Sequence, residues 1–152
     1  MVELRIATEE DLPVLLEMCK KFVDESPYRD YPIEYPKVES LVLSFLSNQK
    51  EKICVLAVSK ETPIGMIAGY LSPALFSSQQ VASEIVWWVD PQYRGKSRAA
   101  IELLGAFETW ARIVGASYIQ MQSLTNEYEM PLEKLFSTKG YRAKEIAYVK
   151  RI

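Results

Sequence analysis

The chain contains no histidine. That removes the commonest metal ligand and the commonest general base, so any base must be a carboxylate, a tyrosine, a thiol, a lysine or a water. Cysteine is scarce as well. Cys19 and Cys54 stand alone in separate apolar patterns, as small core residues do, and give neither a disulfide framework nor a metal site. There is no charge bias: 18 lysines and arginines oppose 20 acids, for a net charge of −2. A field that weak is no footprint for nucleic acid. No apolar run approaches the roughly 20 residues of a membrane span, and the opening Met-Val-Glu-Leu-Arg does not read as a secretory leader. The expectations are a cytoplasmic location and no membrane, nucleic-acid or metal partner.

What is present suits one globular domain over residues 1–152. A chain of that length buries about 68–70% of its unfolded surface, enough for a core without staples. Apolar residues make up 49% and charged residues 25%, an ordinary globular balance.

Periodicity gives the order of elements. Val2 to Ile6 alternates as a strand does. Thr8 with Asp11 makes a helix cap, and Leu12, Leu15, Leu16, Cys19, Phe22 and Val23 follow at helical spacing. Residues 24–36 hold three prolines and three tyrosines and predict an irregular loop. A second helix is predicted over about 37–48, then a hairpin of Ile53 to Ser59 and Ile64 to Leu71 around Lys60-Glu-Thr-Pro63. Ser83 to Val89 is a strand. Ala100, Leu103, Leu104, Phe107, Trp110, Ala111 and Val114 then share one helical face, closed by Gly115. Tyr118 to Gln122 is a strand, parallel to the one before the helix by a right-handed crossover. A helix over about 129–138 stops at Gly140, and residues 141–151 predict one or two last strands. The class is α/β, or α+β: a mixed sheet flanked by helices.

The most informative stretch is Val89-Asp-Pro-Gln-Tyr-Arg-Gly-Lys-Ser-Arg-Ala-Ala100. Pro91 stops the strand and Gly95 permits a left-handed turn. Arg94, Lys96 and Arg98 then crowd a helix start, where the helix dipole favours acids. Cations there make sense if an anion sits among them, held also by the first-turn N–H groups. A solvated basic turn is the plainer reading.

On these residues the chain resembles the GNAT superfamily of N-acetyltransferases, over essentially its whole length. The motif is Arg94-Gly95-Lys96-Ser97-Arg98-Ala99, with Ser97 where the family's middle glycine stands. A second match, Leu135-Phe136-Ser137-Thr138-Lys139-Gly140-Tyr141, puts Phe136 where the family carries the tyrosine that often protonates the leaving thiolate. The resemblance implies a GNAT-like sheet, mostly antiparallel, in which the strand ending at Val89 splays from a parallel neighbour. It implies acetyl-CoA as co-substrate, with Trp87, Trp88 and Val89 along the pantetheine arm and Arg94 through Ala99 around the pyrophosphate. It implies direct transfer to an amine, of a small molecule or a protein. A homodimer is also among its implications, because exposed sheet edges of such folds often pair.

Within that frame Glu84 is the first choice of base, since an apolar setting would raise its pKa; a solvent-facing strand-edge glutamate is the alternative. Tyr128 is a replacement acid or a surface loop tyrosine. Trp87 and Trp88 point to opposite faces of their strand, so one is core and the other lines a pocket or also packs. Asn126 caps a helix or touches the cofactor arm, and Gln120 and Gln122 meet substrate or solvent. The loop 24–36, with Asp24, Glu25, Asp30 and Glu34 among its tyrosines, suits a cationic amine or is simply solvated. Phe136 keeps open a second function: a catalytically weak acyl-CoA-binding regulatory or interaction protein on the same fold.

Overall fold

The structure is a computed structural model that describes residues 1–126 and 129–152. It divides into two units, Met1–Gln122 and Ser123–Ile152.

The first unit is built on a five-stranded sheet in the order β1-β2-β3-β4-β5. The strands are β1 (Glu3–Ile6), β2 (Lys52–Ser59), β3 (Thr62–Pro73), β4 (Gln80–Val89) and β5 (Tyr118–Gln120). The first four pair antiparallel. β5 runs parallel to β4, as the crossover through α3 (Ala99–Ile113) requires. The β2–β3 hairpin closes through Lys60 and Glu61, both with positive φ (46° and 65°), the mirror-image turn whose twist matches the strands.

One core lies on each sheet face. Under α3, Leu103, Phe107, Trp110 and Ala111 pack on Ile53, Val55, Ile64, Ile67 and Ala82. The other face is covered by α1 (Leu12–Asp24) and α2 (Tyr35–Leu46), where Leu15, Met18, Val42 and Phe45 meet Cys54, Leu56, Met66, Val86 and Trp88. The Trp110 indole N–H donates to the Gln49 carbonyl at 2.8 Å, so this large ring is buried without an orphaned donor. Gly115, at φ +83°, ends α3 in a left-handed cap closed by Ala116 N to Ala111 O at 2.9 Å.

Several expectations need correction. The loop 24–36 is not wholly irregular: Ser26 accepts from Tyr28 N and starts a 3-10 turn over Pro27–Asp30. β5 ends at Gln120 rather than Gln122. Thr8 and Asp11 do form the expected cap, with Thr8 N donating to Asp11 at 2.8 Å, but it opens a 3-10 turn that leads into α1.

In the second unit, α4 (Glu129–Thr138) ends at Gly140, φ +89°, with Tyr141 N on the Phe136 carbonyl at 2.9 Å. Residues 141–152 carry no strand. Their alternation is strand-like, but a strand exists only with a hydrogen-bonding neighbour, which a pattern cannot supply. No helix among the described residues is long and apolar enough to cross a membrane.

Two predictions follow from the packing. A Cβ on Gly69 would stand 2.5 Å from both the Phe107 ring and the Ser83 carbonyl. Gly69→Ala should therefore destabilise the protein by about 1–3 kcal/mol, read from denaturant midpoints. Arg5 grips Asp11 with two bonds of 2.7 Å and holds its carboxyl down to about 2. A depressed carboxylate stabilises the fold above its unfolded pKa and loses that contribution as pH falls through the folded one. Asp11→Asn should cost about 1–2 kcal/mol at pH 7 and close to nothing near pH 2, by urea titration at both pH values.

Candidate active site

β4 and β5 pair over only three positions: Val81 with Tyr118, Ala82 with Ile119, Ser83 with Gln120. Beyond Ser83 the strands part. From Glu84 to Val89, β4 pairs with β3 on one side and has no β5 ladder on the other. The main-chain groups on that side can receive an extended polar chain as a strand would.

Glu84 stands where the strands part. Just there β4 has a bulge: Ala68 pairs with Val86 and Gly69 with Glu84, so Ile85 is the extra residue. The bulge resets the alternation. Ala82 and Glu84 share the α3-side face, whereas Val86 and Trp88 pack beneath α1 and α2. Glu84 is 4% exposed. Burial pushes its carboxyl up to about 7, against the pull of the Gln122 main-chain N–H that it accepts at 3.1 Å. Such a group takes or gives a proton near neutral pH. Of the two readings of Glu84, buried or solvent-facing, the structure has the buried one.

The turn after β4 is tightly organised. Asp90 accepts from Gln92 N at 3.0 Å, Asp90 N bonds the Ile64 carbonyl at 2.8 Å, and a 3-10 turn covers Pro91–Tyr93. Ser97 Oγ donates to the Tyr93 carbonyl at 3.0 Å and lies 3.4 Å from Ala99 N. Gly95 takes φ +71°, and a Cβ there would meet nothing within 4 Å. Its role is conformational, with open space above it. The N-terminus of α3 has no side-chain cap. Its first-turn N–H groups have no intrahelical acceptor, by helix geometry, and Lys96 and Arg98 are exposed beside them. Arg98 is only loosely tied, 3.6 Å from Glu102. This end of α3 can hold an anion.

Arg94 is placed differently from its two cationic neighbours. Its Nε donates to the Val89 carbonyl at 2.6 Å, and its Nη2 pairs with Glu25 at 2.6 Å. Both Arg94 and the Val89 carbonyl are thus engaged within the protein. The Trp88 indole also reaches Glu25, at 3.3 Å. Trp87, on the opposite face, packs against the α3-side core. Glu25 belongs to this cluster, and sequence reasoning missed the link because 69 residues separate it from Arg94.

Other expected residues fall elsewhere. Tyr128 lies outside the described residues. Phe136 packs against Tyr141 in the second unit, the rings tilted by 56° with centroids 5.3 Å apart. Asn126 precedes α4 by three positions, with its N–H on the Leu124 carbonyl at 3.0 Å. The Gln122 main chain, rather than its side chain, meets Glu84. Burial pushes the Cys19 thiol up to about 11 and the Cys54 thiol to about 12, so neither is a nucleophile at neutral pH.

Known protein structures share this fold. A transcriptional regulator from Bacillus halodurans C-125 superposes with TM-score 0.77 at 18% identity, covering 100% of both chains. AAC(6')-Iy, in complex with the bisubstrate analogue CoA-S-monomethyl-acetylneamine, superposes with TM-score 0.76 at 15% identity, over 100% of this chain and 99% of that one. An aminoglycoside acetyltransferase from an uncultured soil metagenomic sample gives 0.75 at 14% identity, over 100% and 99%. No curated protein matches in sequence. At those identities the likeness is one of fold. Residues 15–141, however, match the acetyltransferase (GNAT) family itself. With its parted strands and uncapped helix start, the chain belongs to the GNAT family of acetyltransferases, enzymes that draw on acetyl-CoA.

Proposed function

We propose that the chain, as one domain over residues 1–152, moves an acetyl group from acetyl-CoA directly to a primary amine, with Glu84 as the base. The observation that carries this is a carboxyl buried where β4 and β5 part, with its pKa raised to about 7. The residues fit the co-substrate. The uncapped first turn of α3, the open space over Gly95, and exposed Lys96 and Arg98 suit a pyrophosphate. The side of β4 that faces away from β3 at Trp87 and Trp88, beyond the end of the β5 ladder, suits the polar groups of the pantetheine arm. Acetyl-CoA supplies the activated thioester and the thiolate that leaves.

An amine is protonated at neutral pH and must lose its proton before it can attack. Glu84 takes that proton, directly or through a water. Positioning of two bound substrates supplies much of the remaining rate. The acidic segment after α1 favours a cationic acceptor: Tyr28, Tyr31 and Tyr35 are 44%, 51% and 52% exposed, close to Asp24 and Asp30 in sequence. Proteins of similar fold include an aminoglycoside acetyltransferase in complex with sisomicin and a ribosomal-protein-alanine N-acetyltransferase from Brucella melitensis biovar Abortus 2308, so small-molecule and protein amines are both in scope. The two free thiols, Cys54 buried and Cys19 half-buried, suit a reducing cytoplasm.

Phe136 favours a second reading, an acyl-CoA-binding protein without turnover, because phenylalanine cannot protonate a thiolate. Release of coenzyme A across a panel of primary amines separates the two. Turnover with any amine supports the enzyme; coenzyme binding with rates no higher than those of Glu84→Gln supports the binder.

The base assignment makes a pH prediction. Only ionised Glu84 can accept a proton, so kcat/KM should rise with pH through about 7, and Glu84→Gln should lose about 10²–10⁴-fold in kcat together with that limb. The same group predicts a stability change of defined sign. A carboxyl with a raised folded pKa stabilises the fold below its unfolded pKa and loses that contribution as pH rises through the folded value. Ionising Glu84 in place should cost on the order of 3 kcal/mol, so Glu84→Gln should be more stable than the parent at pH 8 and similar to it at pH 4, by denaturant titration.

A further inference from the structure

The cluster around Glu25 is not explained by the chemistry above. One carboxylate oxygen meets the Trp88 indole N–H at 3.3 Å, and the other meets Arg94 Nη2 at 2.6 Å. The guanidinium also lies over the Trp88 ring, 5.8 Å from its centroid, and bonds the carbonyl of Val89, the last residue of β4. A second tie runs alongside: Lys21 lies 3.7 Å from Asp90 and 5.9 Å from the Trp88 ring centroid. The C-terminal end of α1 is thereby fastened to the end of β4 and to the turn that follows. Arg94 is 22% exposed and has its charge met by Glu25, whereas Lys96 and Arg98 are exposed at the helix start.

We propose that Glu25 is a positioning residue for the coenzyme: it holds Arg94 inward, so that Arg94 shapes the turn and leaves Lys96 and Arg98 to meet the anion. This rests on the reading of the turn as the acetyl-CoA cradle. Three features argue for it. Planar Arg94 spans a carbonyl and a carboxylate, a task that lysine does not perform. Its contacts fix the strand end directly before Asp90, the residue that opens the turn. Glu25 also adjoins in sequence the acidic, tyrosine-bearing segment proposed for the amine.

The test is calorimetric titration with coenzyme A at several salt concentrations. The proteins are the parent, Glu25→Gln, Arg94→Gln, their double variant and Lys96→Gln. Two residues that act as a unit are not additive, so each single variant should weaken binding about tenfold and the double variant also about tenfold. Loss of an anion-contacting cation flattens the salt dependence, whereas loss of a positioning contact does not. Lys96→Gln should flatten it, and Glu25→Gln and Arg94→Gln should keep the parental slope. Parental affinity in Glu25→Gln, a double variant about a hundredfold weaker, or a flattened slope in Arg94→Gln would each overturn the proposal. Should Glu25→Gln fail to fold, Glu25→Asp keeps the charge on a shorter arm: weaker binding with the parental slope supports the proposal, and parental affinity overturns it. If the parent itself does not bind coenzyme A, the cradle reading fails and this inference with it; if the parent binds and Glu25→Gln binds equally, only this inference fails.

Discussion

β5 stays beside β4 for three residues and then leaves it. That parting is the constraint on which the site depends. A strand inside a sheet uses its main-chain groups on both sides, and one that loses a neighbour must find other partners for them. In this fold the parting leaves β4 without a β5 neighbour from Glu84 to Val89, and at the strand end Arg94 takes up the Val89 carbonyl. It also leaves an interior corner, where the Glu84 carboxylate accepts from the Gln122 main-chain N–H. A carboxylate with so little solvation keeps its proton more tightly, which is the property a base needs near neutral pH.

The bulge at Ile85 and the turn after Val89 place the chemistry around that corner. Without the extra residue, Glu84 would share a face with Val86 and Trp88, beneath α1 and α2. With it, one strand serves two purposes: its first half turns a carboxyl toward the α3 side, and its second half anchors Trp88 beneath α1. The turn then delivers the chain to an uncapped helix start. Glu25 and Arg94 tie that turn to α1, so the parts of the site are braced against each other.

What the sequence made legible was local. The apolar stripe from Ala100 to Val114 needs only period counting, and it marks α3 to within a residue. The β2–β3 hairpin and the left-handed glycines at 95, 115 and 140 were readable for the same reason. The pattern at 89–100 identified the end of the sheet and the helix that follows. What could not be read depends on partners distant in the chain. Counting cations at 94, 96 and 98 treats them alike; only the fold brings Glu25 to Arg94 and turns that one inward. Alternation along β4 assigns faces correctly until a bulge, and the bulge at Ile85 depends on the register against β3. The alternation at 141–151 resembles a strand, yet pairing is a property of two segments.

The two cysteines have a practical consequence. Cys54 is 5% exposed within the core on the α1 and α2 side, and Cys19 packs against the same core. Disulfide reagents react with thiolates, and neither residue supplies an accessible one near neutrality. In the folded protein, an aromatic disulfide dye will therefore colour with coenzyme A set free by turnover and stay nearly silent toward the polypeptide. The colour that the polypeptide does develop on its own becomes a clock for unfolding, with two sulfurs emerging as the core opens.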